Sequence, residues 1–486
     1  MKKILVVILC LASIVVKSQN KIVWNTGTNI STNSFGNMHP RLTIDRAGNP
    51  LVIWGRMSDQ ALLFSRWNGT GFTTPVKLNP NWLTVATAGW MGPDIASKGD
   101  TVYIVMKRTP EASDTNHIYI MASFNGGVSF LSPVRVDYIA DSISRFPTVD
   151  VDASGNPIVA FMKFNSSFLD SRWVVVKSND YGKTFTTDVK ASGYSGAKAE
   201  VCDCCPGAII SSGNTTAMLY RDNLSNLRDI WTGISKNNST SFPTGFATDN
   251  TKWMINSCPA SGPDGVIVGD TLYSVFLSGG KGTYRTYLST LSIKDGKLNT
   301  VKNLTGALTG LGQQNYPRIA ANGKAMAIVW KQTVSAVAQL PILFTNNISK
   351  GFPANYDTVD LTDITNADVA LSTGNVFVVW QDDKSGTVKF RSGSYTPFNV
   401  GRMSEIKNET FNIFPNPAST AITIQSGFNL NNSQIKIVNS IGEIVLFQTI
   451  VNSVNTLIDI GKLINGVYII QVKTSHNILI QRFIKH

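Results

Sequence analysis

The stretch that decides the fold begins Phe146-Pro147-Thr148-Val149-Asp150-Val151-Asp152 and turns at Ala153-Ser154-Gly155-Asn156-Pro157. It returns as Ile158-Val159-Ala160-Phe161, comes back as Trp173-Val174-Val175-Val176-Lys177, and closes with Ser178-Asn179-Asp180-Tyr181-Gly182-Lys183-Thr184-Phe185. β-Branched and aromatic residues form the short runs, and Gly, Asn and Pro break them where turn geometry is needed. The stretch reads as three short strands joined by turns.

The same pattern recurs along the chain. A Pro precedes an apolar strand, a Gly or Asn turn follows, and a second strand ends on an aromatic or large apolar residue. The markers are Pro40, Pro93, Pro147, Pro206, Pro263 and Pro317, with Ala367 in the seventh copy. The second strands end at Trp54, Met106, Phe161, Leu219, Phe276, Trp330 and Trp380. A repeat of 50 to 60 residues with about four strands per unit predicts a β-propeller, because one sheet cannot bury both of its faces alone. The count is seven blades; six is the alternative if one weak copy is not a full blade. The last copy has room for three strands, and Lys21-Ile22-Val23-Trp24 precedes the first marker. That N-terminal strand is expected to close the ring as the outer strand of blade seven.

The 486 residues carry a formal charge of +12. The basic residues are scattered singly, with no recognisable nucleic-acid module, so nucleic acid is not an expected partner. Residues 1–18 read as a signal peptide. Lys2-Lys3 start it, Ile4 to Val16 form the apolar run, Ser18 offers the cleavage position, and Cys10 would leave with it. No later run is long enough for a membrane-spanning helix. The propeller is assigned to 19–395 and a linker to 396–410. Residues 411–486 hold short alternating strands, including Ala421-Ile422-Thr423-Ile424 and Gln434-Ile435-Lys436-Ile437-Val438, and read as a small β-sandwich. A monomer is expected.

Two resemblances follow from quoted motifs. Phe414-Pro415-Asn416-Pro417, Asn439-Ser440-Ile441-Gly442, Leu463-x-Asn465-Gly466-Val467-Tyr468 and the basic tail closely resemble the bacterial type IX secretion sorting domain. The resemblance implies the type IX machinery as partner, export across the outer membrane, and a secreted or cell-surface product. Ser178-x-Asp180-x-Gly182-x-Thr184-Phe185 is similar to the Asp box (BNR repeat) of sialidase-like propellers. Ser123 to Phe130 fits with Asn125 in place of Asp, and looser copies sit at Ser65–Phe72, Ser235–Phe242 and Thr345–Phe352. The box is structural.

Propeller topology puts the loops entering each first strand on the same face as those joining second and third strands; Asp boxes lie opposite. Ligand sites usually occupy the first face, around the central tunnel. There blades four and five depart from the repeat, with Glu200-Val201-Cys202-Asp203-Cys204-Cys205-Pro206, with Arg221 to Asp229, and with Asp249, Trp253 and Cys258. Four cysteines in an exported chain favour disulfides. Cys204–Cys258 with Cys202–Cys205 is the first choice; the other pairings stay open, as does a metal site built from the same four thiols. No cofactor or metal is otherwise expected.

Active sialidases clamp a sugar carboxylate with three arginines and use a Tyr nucleophile, activated by Glu, plus an Asp acid/base, as the resemblance implies. Candidate catalytic residues are Arg41, Glu200, Asp222 and Arg318. Candidate ligand-binding residues are Trp90, Arg221, Arg228, Asp229, Trp253 and Arg285. The preferred expectation is recognition of carbohydrate or glycoconjugate. A sialidase-type glycoside hydrolase and a structural or protein-binding propeller are the alternatives.

Overall fold

The structure is a computed structural model. It describes residues 21–486 except 32–35, 112–116, 138–141, 166, 197–199, 399–410, 427–429, 431, 441, 451–454 and 474–477. The signal-peptide reading, and nearly all of the linker, lie outside the described residues. The chain divides into two compact units, Met1–Phe398 and Asn399–His486.

The first unit is a ring of seven antiparallel sheets. Blade three, the opening stretch, pairs Ser142–Val151, Pro157–Asn165, Arg172–Lys177 and Val189–Lys190 in that order. The strand entered through Pro147 begins earlier than its apolar pattern, and a bulge between Arg145 and Thr148 shifts its register. The same shift occurs between Met38 and Arg41 in blade one and between Asn315 and Arg318 in blade six. At each bulge the residue before Pro has a positive φ: His39 at 55°, Phe146 at 52° and Tyr316 at 51°. That region is sparsely populated for non-Gly residues, so three matching instances mark a place where the backbone is deliberately re-aimed.

Second strands are buried on both faces, because each sheet is packed between two others. Leu51, Val52, Ile53 and Trp54 are all fully buried. Seven apolar clusters each straddle one joint between neighbouring blades. Trp54, Trp173, Trp330 and Trp380 are the largest side chains in them. Burying such rings accounts for roughly 2–3 kcal/mol each before entropy is counted. Seven blades are present; the weak fourth copy forms a full sheet with Ala208–Ser212, Thr215–Asn223, Ile230–Ser235 and Thr244–Ala247. Blade seven is completed from the N-terminus, where Val23–Trp24 pairs with Ser394 and Gly393, and Thr28–Asn29 pairs with Phe390 and Lys389.

Three Asp-box turns share one hydrogen-bond scheme. In the full copy, Ser178 Oγ donates to Asp180 Oδ1 at 2.7 Å and accepts the Gly182 N–H at 2.8 Å, while Asp180 Oδ1 accepts the Thr184 N–H at 2.9 Å. Asn125 and Asn237 use a carbonyl oxygen in the same way, whereas Asn347 accepts the Ser349 N–H two residues on and caps a short 3-10 turn. Gly182 adopts φ 86°, which a side chain would oppose. The Ser65–Phe72 copy differs: its turn is capped by Asn68, whose Oδ1 accepts from Thr70 and Gly71. Tyr181 N donates to Asn156 Oδ1 at 2.9 Å, so the box sits beside the turn between first and second strands, away from the entry loops.

The second unit packs two antiparallel sheets. One holds Phe411–Phe414, Ala421–Ser426 and Asn455–Asp459; the other orders Ile444–Thr449, Gln434–Val438, Gly466–Lys473 and Ile478–Lys485. Alternate side chains, among them Ile422, Ile424, Ile437, Ile470 and Phe483, meet between the sheets. Tyr468 Oη donates to the Ile464 carbonyl at 2.8 Å, tying the Asn465-Gly466 turn to its strand. Among the described residues no helix is long and apolar enough to cross a membrane.

Candidate functional site

The entry loops of all seven blades converge on the tunnel mouth. A narrow cleft there is lined by His39, Arg41, Trp90, Asp94, Phe146 and Arg318, with Tyr316 and Asn366. The three bulged residues, His39, Phe146 and Tyr316, all line it, which gives their positive φ a shared purpose. His39 is held neutral: burial lowers its pKa well below the usual imidazole value, and Arg41 and Arg318 add to this.

Arg318 lies 3.1 Å from Asp368 and 3.4 Å from Asp264. Burial works against its charge, but the carboxylates of Asp264, Asp368 and Asp94 hold its pKa above the usual value. Arg41 donates to the Pro40 carbonyl at 2.9 Å; burial and the nearby Arg318 lower it to about 10. The two arginines therefore belong to a charged band across the tunnel, at the level of the Asp residues that follow the markers.

A second, larger recess adjoins the mouth. It shares Trp90, Met91, Phe146 and Ala260 with the first and adds Lys107, Glu111, Arg145, Cys204 and Cys258. Glu111 accepts from Arg145 Nε at 2.8 Å and from Lys107 Nζ at 2.6 Å. Burial pushes its carboxyl up, yet these hydrogen bonds hold it below the usual carboxylate range, so Glu111 is ionised. Arg145 also lies over the rings of Phe164 and Phe168, at 5.2 and 5.1 Å. The sequence offers Glu200 as the candidate glutamate, on the loop into blade four. It is Glu111, however, that lines the recess with Cys204 and Cys258. A signal was available in Lys107, which ends an otherwise apolar strand and is nevertheless buried.

Glu200 is exposed at the blade's edge, opposite Asn223, and accepts the Asp170 N–H at 3.1 Å. Asp222 is buried, accepts from Ser195, and is raised to about 6 by burial. Arg221 is fully buried and donates to the carbonyls of Ser261, Arg228 and Leu277 at 3.2, 2.8 and 2.8 Å. It stacks 4.9 Å from the Trp253 ring, which also meets Tyr284 edge-on. Trp253, a ligand-binding candidate from sequence, is only 4% exposed and presents no open ring face. The buried guanidinium and the Tyr284 ring cover it. Asp229 anchors the same loop by accepting the Trp253 N–H at 2.9 Å. Arg228 donates to Cys202 Sγ at 2.9 Å, and Arg285 donates to the Tyr284 and Gly312 carbonyls. Trp90 is the exposed aromatic of the set, at 47%, and it lines both cavities.

Cys204 and Cys258 are joined, with Cα atoms 6.2 Å apart. Their loops approach closely because Gly262 has no side chain; a Cβ there would meet the Pro206 carbonyl oxygen at 2.1 Å. Cys202 and Cys205 are buried thiols with Sγ atoms 3.1 Å apart.

Comparison with curated proteins gives no match. Among solved structures, a polysaccharide lyase of family PL25, an ulvan lyase bound to -[GlcA(1-4)Rha3S]-, is similar over 74% of this chain and 93% of its own, at 11% identity and TM-score 0.48. The α-L-arabinofuranosidase Arb93A of Fusarium graminearum is similar over 68% and 98%, at 11% identity and TM-score 0.43. A protein of unknown function from Dyadobacter fermentans is similar over 65% and 96%, at 11% identity and TM-score 0.46. At these identities the likeness concerns the propeller architecture. Residues 412–486 match the model of the secretion system C-terminal sorting domain, which assigns the protein to type IX export, to the cell surface or the medium.

Proposed function

We propose that this exported propeller, of sialidase-like descent, binds carbohydrate or glycoconjugate on the face opposite its Asp boxes. The observation that carries this reading is Trp90, a half-exposed indole at the junction of the tunnel mouth and the outer recess. An indole face packs against the C–H face of a sugar ring, and flanking polar groups then fix orientation. Here those groups are Asn366 at the mouth and the Lys107–Glu111–Arg145 network in the recess. Glycan is also the ligand class that a surface-exported protein meets.

What weighs against sialidase-type hydrolysis is how the arginines are spent. Arg221 and Arg285 donate to backbone carbonyls, Arg228 to a sulfur, and Arg318 faces two aspartates. Arg221, Arg285 and Arg318 are thus engaged, and Arg228, whose Nε is unpartnered, is buried against Cys202. Glu111, the glutamate nearest the mouth, is held by two cations and not by a tyrosine.

A glycan array and a fluorogenic sialoside assay on the purified full chain test the reading together. Binding that is lost in Trp90→Ala, without turnover, is the expected result. Sialoside turnover would replace binding with hydrolysis, and silence in both assays would leave the structural or protein-binding alternative.

A further inference from the structure

The ligand recess does not need four cysteines, and their arrangement is asymmetric. The Cys204–Cys258 bridge faces outward: Cys258 is exposed, Cys204 is half-buried, and both line the recess. Behind it sit two thiols, Cys202 and Cys205, both within 1% of full burial. Cys202 Sγ is 3.1 Å from Cys205 Sγ and 3.5 Å from Cys204 Sγ, which is one end of the bridge. Arg228 Nη1 donates to Cys202 Sγ at 2.9 Å. A guanidinium on a sulfur favours the thiolate, the attacking species in exchange. The Cys205 hydrogen bond, with Arg221 and Arg228 nearby, lowers Cys202 to about 6 against its burial, whereas burial raises Cys205. The pair is thus divided into an attacking and a resolving thiol, and Cys202-Asp203-Cys204-Cys205 spaces them as C-x-x-C.

We propose that the four cysteines form a thiol–disulfide exchange site that passes one disulfide between an outward pair, Cys204 and Cys258, and an inward pair, Cys202 and Cys205. The Cys202 thiolate attacks Cys204 Sγ. The Cys204–Cys258 bond breaks, and Cys258 leaves with the electron pair and takes up a proton. Cys205 loses its proton and attacks Cys202 Sγ, which closes Cys202–Cys205 and releases Cys204 as a thiolate that is protonated in turn. One disulfide and two thiols exist before and after, so the transfer within the chain consumes no oxidant. In one state the recess presents a disulfide able to accept electrons from a dithiol partner; in the other it presents a dithiol able to reduce a partner's disulfide. The site does not depend on the carbohydrate reading.

The test is alkylation of the native full chain, purified without reductant, with N-ethylmaleimide, followed by non-reducing peptide mapping. The expected result is slow labelling of Cys258 and Cys204 with trapping of a Cys202–Cys205 bridge. Cys202→Ser should slow Cys258 labelling by about tenfold or more, since the attacking thiolate is gone. Cys205→Ser, which keeps the attacker, should still expose Cys258 but should stop at a Cys202–Cys204 bridge. Three results overturn the proposal: no labelling of Cys258 in the unmodified chain, equal labelling rates with and without Cys202, or a chain already closed by two bridges with no titratable thiol.

Discussion

Asp368 Oδ2, in the last blade, accepts the backbone N–H of Leu42, in the first, at 3.0 Å across a sequence separation of 326. The same joint recurs around the tunnel. Asp94 accepts from Val149 at 3.2 Å, Asp150 from Ser211 at 2.6 Å, and Asp264 from Ile319 at 2.9 Å. Each carboxylate satisfies an inner-strand N–H that faces the tunnel and has no strand partner there, so the ring is pinned at its centre as well as packed between blades.

Asp368 also faces Arg318, so its loss removes two functions at once. Asp368→Ala should lower unfolding free energy by about 3 kcal/mol, the scale of breaking one side of a buried pair. Asp368→Asn keeps an acceptor oxygen and should cost about half as much. Denaturant midpoints on the full chain measure both; a midpoint unchanged in Asp368→Ala would mean the joint does not hold the ring.

Trp90→Ala should weaken glycan binding by about 1–3 kcal/mol, the range of a central aromatic contact. The denaturant midpoint should barely move, because the indole is half exposed. Calorimetric titration of the best array ligand separates the two quantities. Trp253→Ala should do the reverse: the ring is buried against Arg221 and Tyr284, so stability falls first.

In the Asp box, hydrogen bonds from Thr184 and Ser178 hold the Asp180 carboxyl down at about 2. A depressed carboxylate stabilises the fold above its unfolded pKa of about 4, and that contribution disappears as pH falls through the folded value. Asp180→Ala should cost about 1 kcal/mol at neutral pH, as for a lost capping residue, and leave glycan binding unchanged. The difference between variant and unmodified chain should close between pH 4 and 2, measured by thermal unfolding across that range.

Asp150 behaves oppositely. Burial raises it to about 7 against the hydrogen bonds from Ser211 and Val151, with Asp94 adding to the rise. The folded chain then keeps a proton that the unfolded chain releases near about 4. Its contribution is fully present below about 4 and is lost as pH rises towards 7, with a slope of at most about 1.4 kcal/mol per pH unit. Asp150→Asn should remove that decline and match or exceed the unmodified chain at pH 8. An equal or steeper decline in the variant would show that the carboxylate is ionised when folded.

Much of the architecture is carried by local sequence. Pro markers, Gly-Asn turns and aromatic strand ends repeat at short range, so the blade count and the use of Val23-Trp24 to close the ring could be read without coordinates. Side-chain destinations could not. Trp90 and Trp253 look alike in sequence, yet one is exposed at the mouth and the other lies beneath Arg221. Glu111 belongs to blade two but meets Arg145 of blade three, and the recess it lines is closed by the bridge from blades four and five. The approach of Cys202 to Cys204 and Cys205 likewise depends on how two entry loops fold over Gly262. Periodicity and turn chemistry act between near neighbours, so the sequence alone determined the strands, the ring and the export domain. Burial, ion pairing and sulfur contacts depend on how loops of neighbouring blades fold against one another, so the tertiary structure alone decided which candidate residues face a ligand.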